Sequence, residues 1–227
     1  MTVEEIRQWA NYQLNKHQTG NTLNKEEYNL CLAWANMEYF KTKYGLPEQY
    51  VPGRPIPAQA FQITQKVMDD MRPFLKSRGG KNFPMLQIDA NGWAQIPQDY
   101  VHVSSIRYGK AAVEIISNDV LGDRLASSVV EPTKRYPVCV IYSDYLQFYP
   151  IDLAEVKFDY LRTPVTPVWA ATLVNDEWVY DAARSVQLEW PQDTHQDIAN
   201  LIVQYASNNL RDMGMYQVAE RRKDEGQ

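Results

Sequence analysis

The apolar positions change their period twice along this chain. Over Val3 to Asn15, Ile6, Trp9, Ala10 and Gln13 return at helical spacing, which predicts a short amphipathic helix broken by Thr19, Gly20 and Asn21. Asn24 followed by Glu27 has the form of a capping box, so a second helix is predicted from there to about Lys43, with Gly45 and Pro47 as its stop. Its apolar residues run from Tyr28 to Phe40 and exceed one stripe, including Leu30, Cys31, Leu32, Trp34 and Tyr39. Such a helix is expected to be buried on most sides, in a core or between subunits. Residues 47–57 hold Pro47, Pro52, Pro55 and Pro57 and read as an extended linker. Ile63, Val67 and Met71 then set a third helix, about Ala58 to Arg72, ended by Pro73.

Near Met85 the period becomes two. Leu86 and Ile88 precede the turn dipeptide Asn91-Gly92, and Val101 alternates with Val103. Val138, Val140 and Tyr142, then Tyr145, Gln147 and Tyr149, then Val156, Phe158 and Tyr160, and last Val186, Leu188 and Trp190 repeat the pattern. Alternation with β-branched and aromatic residues predicts half-buried antiparallel strands. One short helix, about Asp119 to Ser127, is expected to interrupt them, with Asn118 as its cap. After Thr194, a further candidate cap, Ile198, Leu201, Ile202 and Tyr205 return to helical spacing until Gly214. The mixed-charge end, 215–227, reads as a mobile tail or as one ordered only by a partner.

Helices that cannot bury themselves alone are expected to pack on each other even when far apart in sequence. The predicted fold is therefore α+β. A helical region is built from the N- and C-terminal segments (1–82 and 192–214), and an antiparallel β barrel or sandwich (83–191) is inserted between them.

Composition narrows the function classes. The 227 residues carry a formal net charge of −5, an unfavourable balance for gripping nucleic acid through its phosphates. Two cysteines, Cys31 and Cys139, stand far apart and outside any CxxC pattern, so neither a disulfide framework nor a zinc site is predicted. The N-terminus carries Glu4, Glu5 and Arg7 and does not read as a signal peptide; no apolar run is long enough for a membrane span. Fifteen Tyr and six Trp suit either a β-rich core or surfaces buried on assembly.

Candidate chemistry is sparse. His17, His102 and His195 lack metal-ligand spacing. A triad assembled from distant parts, for example His102 with Ser104 and Asp99, is one option, and no nucleophile-elbow motif accompanies it. Gly79-Gly80-Lys81 lacks the spacing of a phosphate loop. Asp69 with Asp70, and Asp119 with Asp123, read as solvent-facing. The basic loop Arg72, Lys76, Arg78 and Lys81 is either a solvated charge run or a contact for DNA or an acidic subunit. No catalytic residue, cofactor or metal is predicted, and the chain does not read as an enzyme.

Three stretches in order resemble the head–tail connector (adaptor, or first-ring) proteins of short-tailed bacteriophages, in the style of the crAss-like group. They are Ile96-Pro97-Gln98-Asp99-Tyr100 after Trp93, Val156 to Pro164 followed by Pro167 and Trp169, and Leu188-Glu189-Trp190-Pro191-Gln192-Asp193 followed by Asp197-Ile198. Ala10-Asn11-Tyr12, Glu27-Tyr28 and Ala35-Asn36 have the same style. The resemblance implies a virion protein of the neck or tail, assembled in the host bacterial cytoplasm as a homo-oligomeric ring, in that family twelvefold. Its partners would be the portal protein, the next tail ring and genomic DNA passing without sequence-specific binding, with no membrane. Met215, Tyr216, Val218, Arg221 and Arg222 would meet the portal; Tyr145, Phe148 and Tyr149 would meet the neighbouring ring. Twelve such copies would carry a charge of about −60, a field that keeps DNA from adhering in the channel. A tail tube or minor capsid subunit, an enzyme with a scattered active site, and a host-binding module using Tyr145 and Tyr149 remain alternatives at this stage.

Overall fold

The computed structural model describes residues 1–14, 23–44, 66–175 and 177–209. The chain divides into two compact units: Met1–Pro73 together with Pro164–Gln227, and Phe74–Thr163. It is a mixed α and β protein whose sheets are mostly antiparallel.

The first unit is helical. α1 (Val3–Gln13) starts at a capping box: Glu5 N–H donates to Thr2 Oγ1, and the Glu5 carboxylate accepts from Thr2 N–H. α2 (Lys25–Tyr44) starts at the same device, Asn24 with Glu27 (2.9 and 3.1 Å). The last helix of the unit spans His195–Asn209 and packs against both. It is buried over Ile198, Ala199, Leu201, Ile202, Val203 and Ala206, a wider face than the predicted stripe. Residues 66–71 are helical too; the expected linker over 47–57 and the start of that helix lie outside the described residues.

Two tryptophans close this unit across a long sequence separation. Asn29 on α2 grips the backbone of Trp169 from both sides: its Oδ1 accepts from Trp169 N–H (2.8 Å) and its Nδ2 donates to Trp169 O (3.1 Å). The Trp169 indole donates to Glu4, lies under Arg7 (4.2 Å) and meets Tyr28 edge-on. Seven residues along α2, and so on the same face, Asn36 Oδ1 accepts from the Trp190 indole N–H (2.7 Å). That ring packs edge-on against Tyr39 at 4.8 Å, and its own carbonyl accepts from His195 Nε2 (2.9 Å).

The second unit holds two open sheets. One joins β1 (Leu75–Arg78), β9 (Glu155–Arg162), β4 (Tyr100–Tyr108) and β5 (Ala111–Ala112) in that order, with β2 (Leu86–Gln87) also on β9. The other runs β3 (Trp93–Gln95), β8 (Tyr145–Tyr149), β7 (Val138–Ile141), β6 (Glu114–Ile115). Both contribute to one core: Val103, Ile106, Val156, Phe158 and Tyr160 from the first, Ala94, Cys139, Leu146 and Phe148 from the second. The turn Asp89 to Trp93 leads from one sheet to the other. Gly92 has φ +80°, and a Cβ there would stand 2.7 Å from Phe148 O, so only glycine fits.

Several expectations are corrected. Among the described residues no sheet closes into a barrel. The second compact unit spans 74–163: Leu75–Arg78 is already a strand because it pairs with β9, while β10 (Ala171–Val174) and β11 (Glu177–Tyr180) form a separate hairpin in the helical unit. β6 and β7 run parallel, and the short helix α3 (Asn118–Ala126) is their crossover rather than an interruption. Ser117, not Asn118, occupies the cap position of α3, and its side chain makes no capping bond. Val186, Leu188 and Trp190 form no strand: a single bridge joins Val186 to Val168, and the Gln187 and Glu189 side chains instead accept from Val3 N–H and Val165 N–H. Thr194 does not cap the last helix, α4 (His195–Asn209), because its hydroxyl donates back to Pro191 O (2.9 Å).

The Trp190–Asn36 bond gives a direct test. Trp190→Phe keeps a ring in the pocket but leaves Asn36 Oδ1 without its indole donor, at an expected cost of about 1–3 kcal/mol. Urea unfolding measures it; an unchanged midpoint would mean that this bond contributes nothing to closing the helical unit.

Candidate functional site

β8 carries the residues expected to meet a neighbouring ring, and the strand separates them. Alternate side chains of a strand point to opposite faces. Leu146 and Phe148 therefore enter the core with no exposure, while Tyr145, Gln147 and Tyr149 point outward and are half-buried. Phe148 is thus removed from the expected contact set. Tyr145 stacks on Trp93 (4.6 Å, 8°) and on Tyr142 (4.8 Å, 21°), giving a row of three outward rings. Trp93 is 42% exposed and was not among the expected site residues; its place on β3, opposite Gln147 in the register, brings it there.

The expected basic loop does not exist as a loop. Lys76 and Arg78 lie in β1, across from Tyr160 and Phe158 of β9. Arg72 is exposed in the 3-10 turn Arg72–Phe74, and Lys81 is exposed after the Gly79 turn. Lys76 is engaged within its own unit, with Nζ 2.8 Å from Asp99 Oδ2. Arg78 lines a shallow groove of about 440 Å³ with Met85, Gln87, Gln95 and Gln98, and its Nε is buried without an acceptor. A second groove of about 430 Å³ shares Gln87 and Gln95 and is walled by Trp93, Tyr145 and Asp89.

Asp99, from the first of the three familiar stretches, ties three parts of the β unit together. It accepts from Lys76 on β1 and from the Tyr160 hydroxyl on β9 (2.9 Å), and its carbonyl accepts from Thr163 N–H (2.8 Å). Burial raises the Asp99 pKa, but the hydrogen bonds from Lys76 and Tyr160 and the Lys76 charge outweigh it, so the carboxyl is held below its ordinary range. The same bond raises Lys76, and burial followed by the Asp99 bond raises Tyr160. On the opposite face of β9, Asp159 accepts from Ser77 and from Ser105 (2.8 Å). Asp99 is thereby committed to Lys76 and Tyr160 instead of to a triad with His102, which is exposed on β4.

Other titratable groups are structural. His195 is buried, with Nε2 donating to Trp190 O and the Met1 nitrogen donating to Nδ1 (3.0 Å). His17 lies outside the described residues. Asp70 is a correction: it is 3% exposed, not solvent-facing, because it is held 3.7 Å from Lys43 of α2. Burial raises its pKa, with Lys43 opposing. Asp69, Asp119 and Asp123 are exposed. Burial pushes the Cys139 thiol up to about 12 and the Cys31 thiol to about 11, so neither supplies a thiolate at neutral pH. Among the described residues no three His, Cys, Asp or Glu side chains are grouped to hold a metal ion, and no helix is long and apolar enough to cross a membrane. The residues expected to meet a portal, Met215, Tyr216, Val218, Arg221 and Arg222, lie outside the described residues.

The Asp99 linkage has a pH sign. A carboxyl whose folded pKa lies below its unfolded value of about 3.9 stabilises the fold above that value, and the contribution fades as pH falls through the folded pKa. Asp99→Asn is expected to lower stability at pH 7, by about 1–3 kcal/mol for the weakened Lys76 and Tyr160 bonds, and to converge on the parent in acid, once pH falls through the lowered folded pKa. Parallel unfolding curves at both pH values decide it; a gap that persists in acid would mean that the loss is not electrostatic.

A comparison with known protein families finds none that matches this chain, and no curated protein matches it in sequence.

Proposed function

We propose that this chain is a structural virion protein, the head-to-tail connector of a short-tailed bacteriophage, forming an adaptor ring between the portal and the tail. What carries the reading is the order of the three resembling stretches along a chain whose helical ends enclose a β segment. In this reading the inserted unit is a β sandwich of two open sheets, and both ends of the chain contribute to one helical region.

The residues of those stretches support the reading by what they do. Asp99 and Tyr160 lock β1 and β9 to the end of the unit. Trp169 and Trp190 lock the returning chain to α2. A ring subunit that transmits force needs units that are each held rigid, and these bonds hold one unit each. The outward row Tyr142, Tyr145 and Trp93 suits the next tail ring, because stacked aromatics give contact area at low entropic cost. The helical region would face the portal, and the segment 215–227 would reach along the portal. An acidic ring would let DNA slide through the channel without adhering.

Purified full chain mixed with its portal is expected to form a stable complex, and a chain ending at Gly214 is expected to fold with an unchanged unfolding midpoint yet fail to join the portal. Sedimentation of the two mixtures reads the difference. If the shortened chain joins equally well, the tail has no docking role; if neither joins, the connector reading fails.

A further inference from the structure

The β unit has one cation more than its carboxylates match. Lys76 and Arg78 stand across from Tyr160 and Phe158 of β9, so both share the inner face of that sheet. Asp99 is taken by Lys76 (2.8 Å) and by the Tyr160 hydroxyl (2.9 Å). Arg78 has the neutral Tyr160 hydroxyl beside it, and among the described residues no carboxylate pairs with it. Its Nε is buried without an acceptor. A part-buried guanidinium is screened less than a surface one, and its planar fork suits a carboxylate.

The surroundings of Arg78 are apolar or neutral. Its groove of about 440 Å³ is walled by Met85, Leu86 and Ile96 and by the amides of Gln87 and Gln95. Gln95 leads on into the second groove, of about 430 Å³, where Trp93 and Tyr145 stand. β3 is the end strand of its sheet. Gly92 O accepts from Phe148 N–H and Ile96 N–H donates to Asp144 O, so alternation turns the Gln95 N–H and C=O away from β8. Among the described residues neither group has a partner, whereas the backbone of Trp93 is already bonded to Asp89.

We propose that this surface binds an extended acidic segment of another protein, with its main chain on the open edge of β3 at Gln95, one carboxylate on Arg78 and an apolar side chain against Trp93. The balance of charge selects the ligand. One unmatched guanidinium calls for one carboxylate. Gln87 already holds Glu155 (3.0 Å), and Asp89 lines the second groove, so a nucleic acid would bring its further phosphates against like charge. A small carboxylate would gain Arg78 alone, whereas an extended segment also pairs with the strand edge. The inference stands apart from the connector reading; within that reading the segment would belong to the next tail ring.

Retention of peptide pools on the immobilised full chain tests it. Two pools of short peptides with blocked ends carry either Glu or Gln at the centre and mixtures of Thr, Val and Tyr elsewhere. The Glu pool is expected to be retained about tenfold over the Gln pool, because a charge-assisted hydrogen bond is roughly twice as strong as a neutral one. Added salt is expected to shrink that preference. Arg78→Gln is expected to remove it, and Gln95→Pro, which deletes the edge N–H, to lower retention of both pools. Should Arg78→Gln not fold, the parent chain's two pools and their salt dependence decide alone. Equal retention of the pools on the parent, retention of neither, or a preference that survives Arg78→Gln overturns the inference. Full displacement of the Glu pool by an equal concentration of acetate overturns the choice of a protein segment. Joining to the portal is read separately, so either proposal can fail while the other stands.

Discussion

The helical unit depends on two asparagines. Asn29 and Asn36 sit seven residues apart on α2, and each takes hold of a tryptophan that follows the inserted β unit in sequence. A helix as apolar as α2 can slide or rotate against hydrophobic partners at little cost, because burial is not directional. A buried amide is directional, and leaving it unpaired costs about as much as a lost hydrogen bond. The Asn29 side chain pairs with the Trp169 backbone as a neighbouring strand would, and Asn36 selects the one ring edge that carries an N–H. These bonds fix where the chain re-enters after the inserted strands, and they set the position from which α4 starts.

In the β unit the corresponding constraint falls on β9. It pairs with β1, β2 and β4, and its inward residues Val156, Phe158 and Tyr160 are fully buried. Tyr160 reaches the unit's edge with its hydroxyl, and Asp99 receives it there together with Lys76. The core therefore ends in a charged clamp. The ring row of Tyr142, Tyr145 and Trp93 is built on the other sheet, where β3 pairs with β8, and the two grooves share Gln87 of β2 and Gln95 of β3.

Much of this was legible in the sequence where one local rule governs the residues. The Asn24–Glu27 box and the alternation at 145–149 and 156–160 appear in the fold as read. β4 was legible only at its start: register shifts after Tyr100 and Val103 place the buried residues at Val103 and Ile106, three apart rather than two. The run Val186 to Trp190 alternates without being a strand, because its polar members bond to α1 and to Val165 instead of to a ladder. The roles of Asn29, Asn36 and Asp70 were hidden because a polar residue on a helix looks solvent-facing until the returning chain is placed against it. The hairpin at 171–180 left one usable signal, an Asn-Asp pair between two β-rich runs. The surface aromatics Trp93 and Trp34 gave none, since an exposed and a buried tryptophan read alike.

In the proposed connector ring at the neck of a virion, these bonds would keep each unit of the subunit rigid. Imaging the neck of the intact particle at a resolution that separates subunits tests it most directly. The account predicts this chain immediately below the portal, in a ring of twelve copies, as the family it resembles implies. A ring of five or six copies, or a place elsewhere in the particle, would contradict it in favour of a tail-tube or minor capsid role, and absence of the chain from the particle would contradict any virion role.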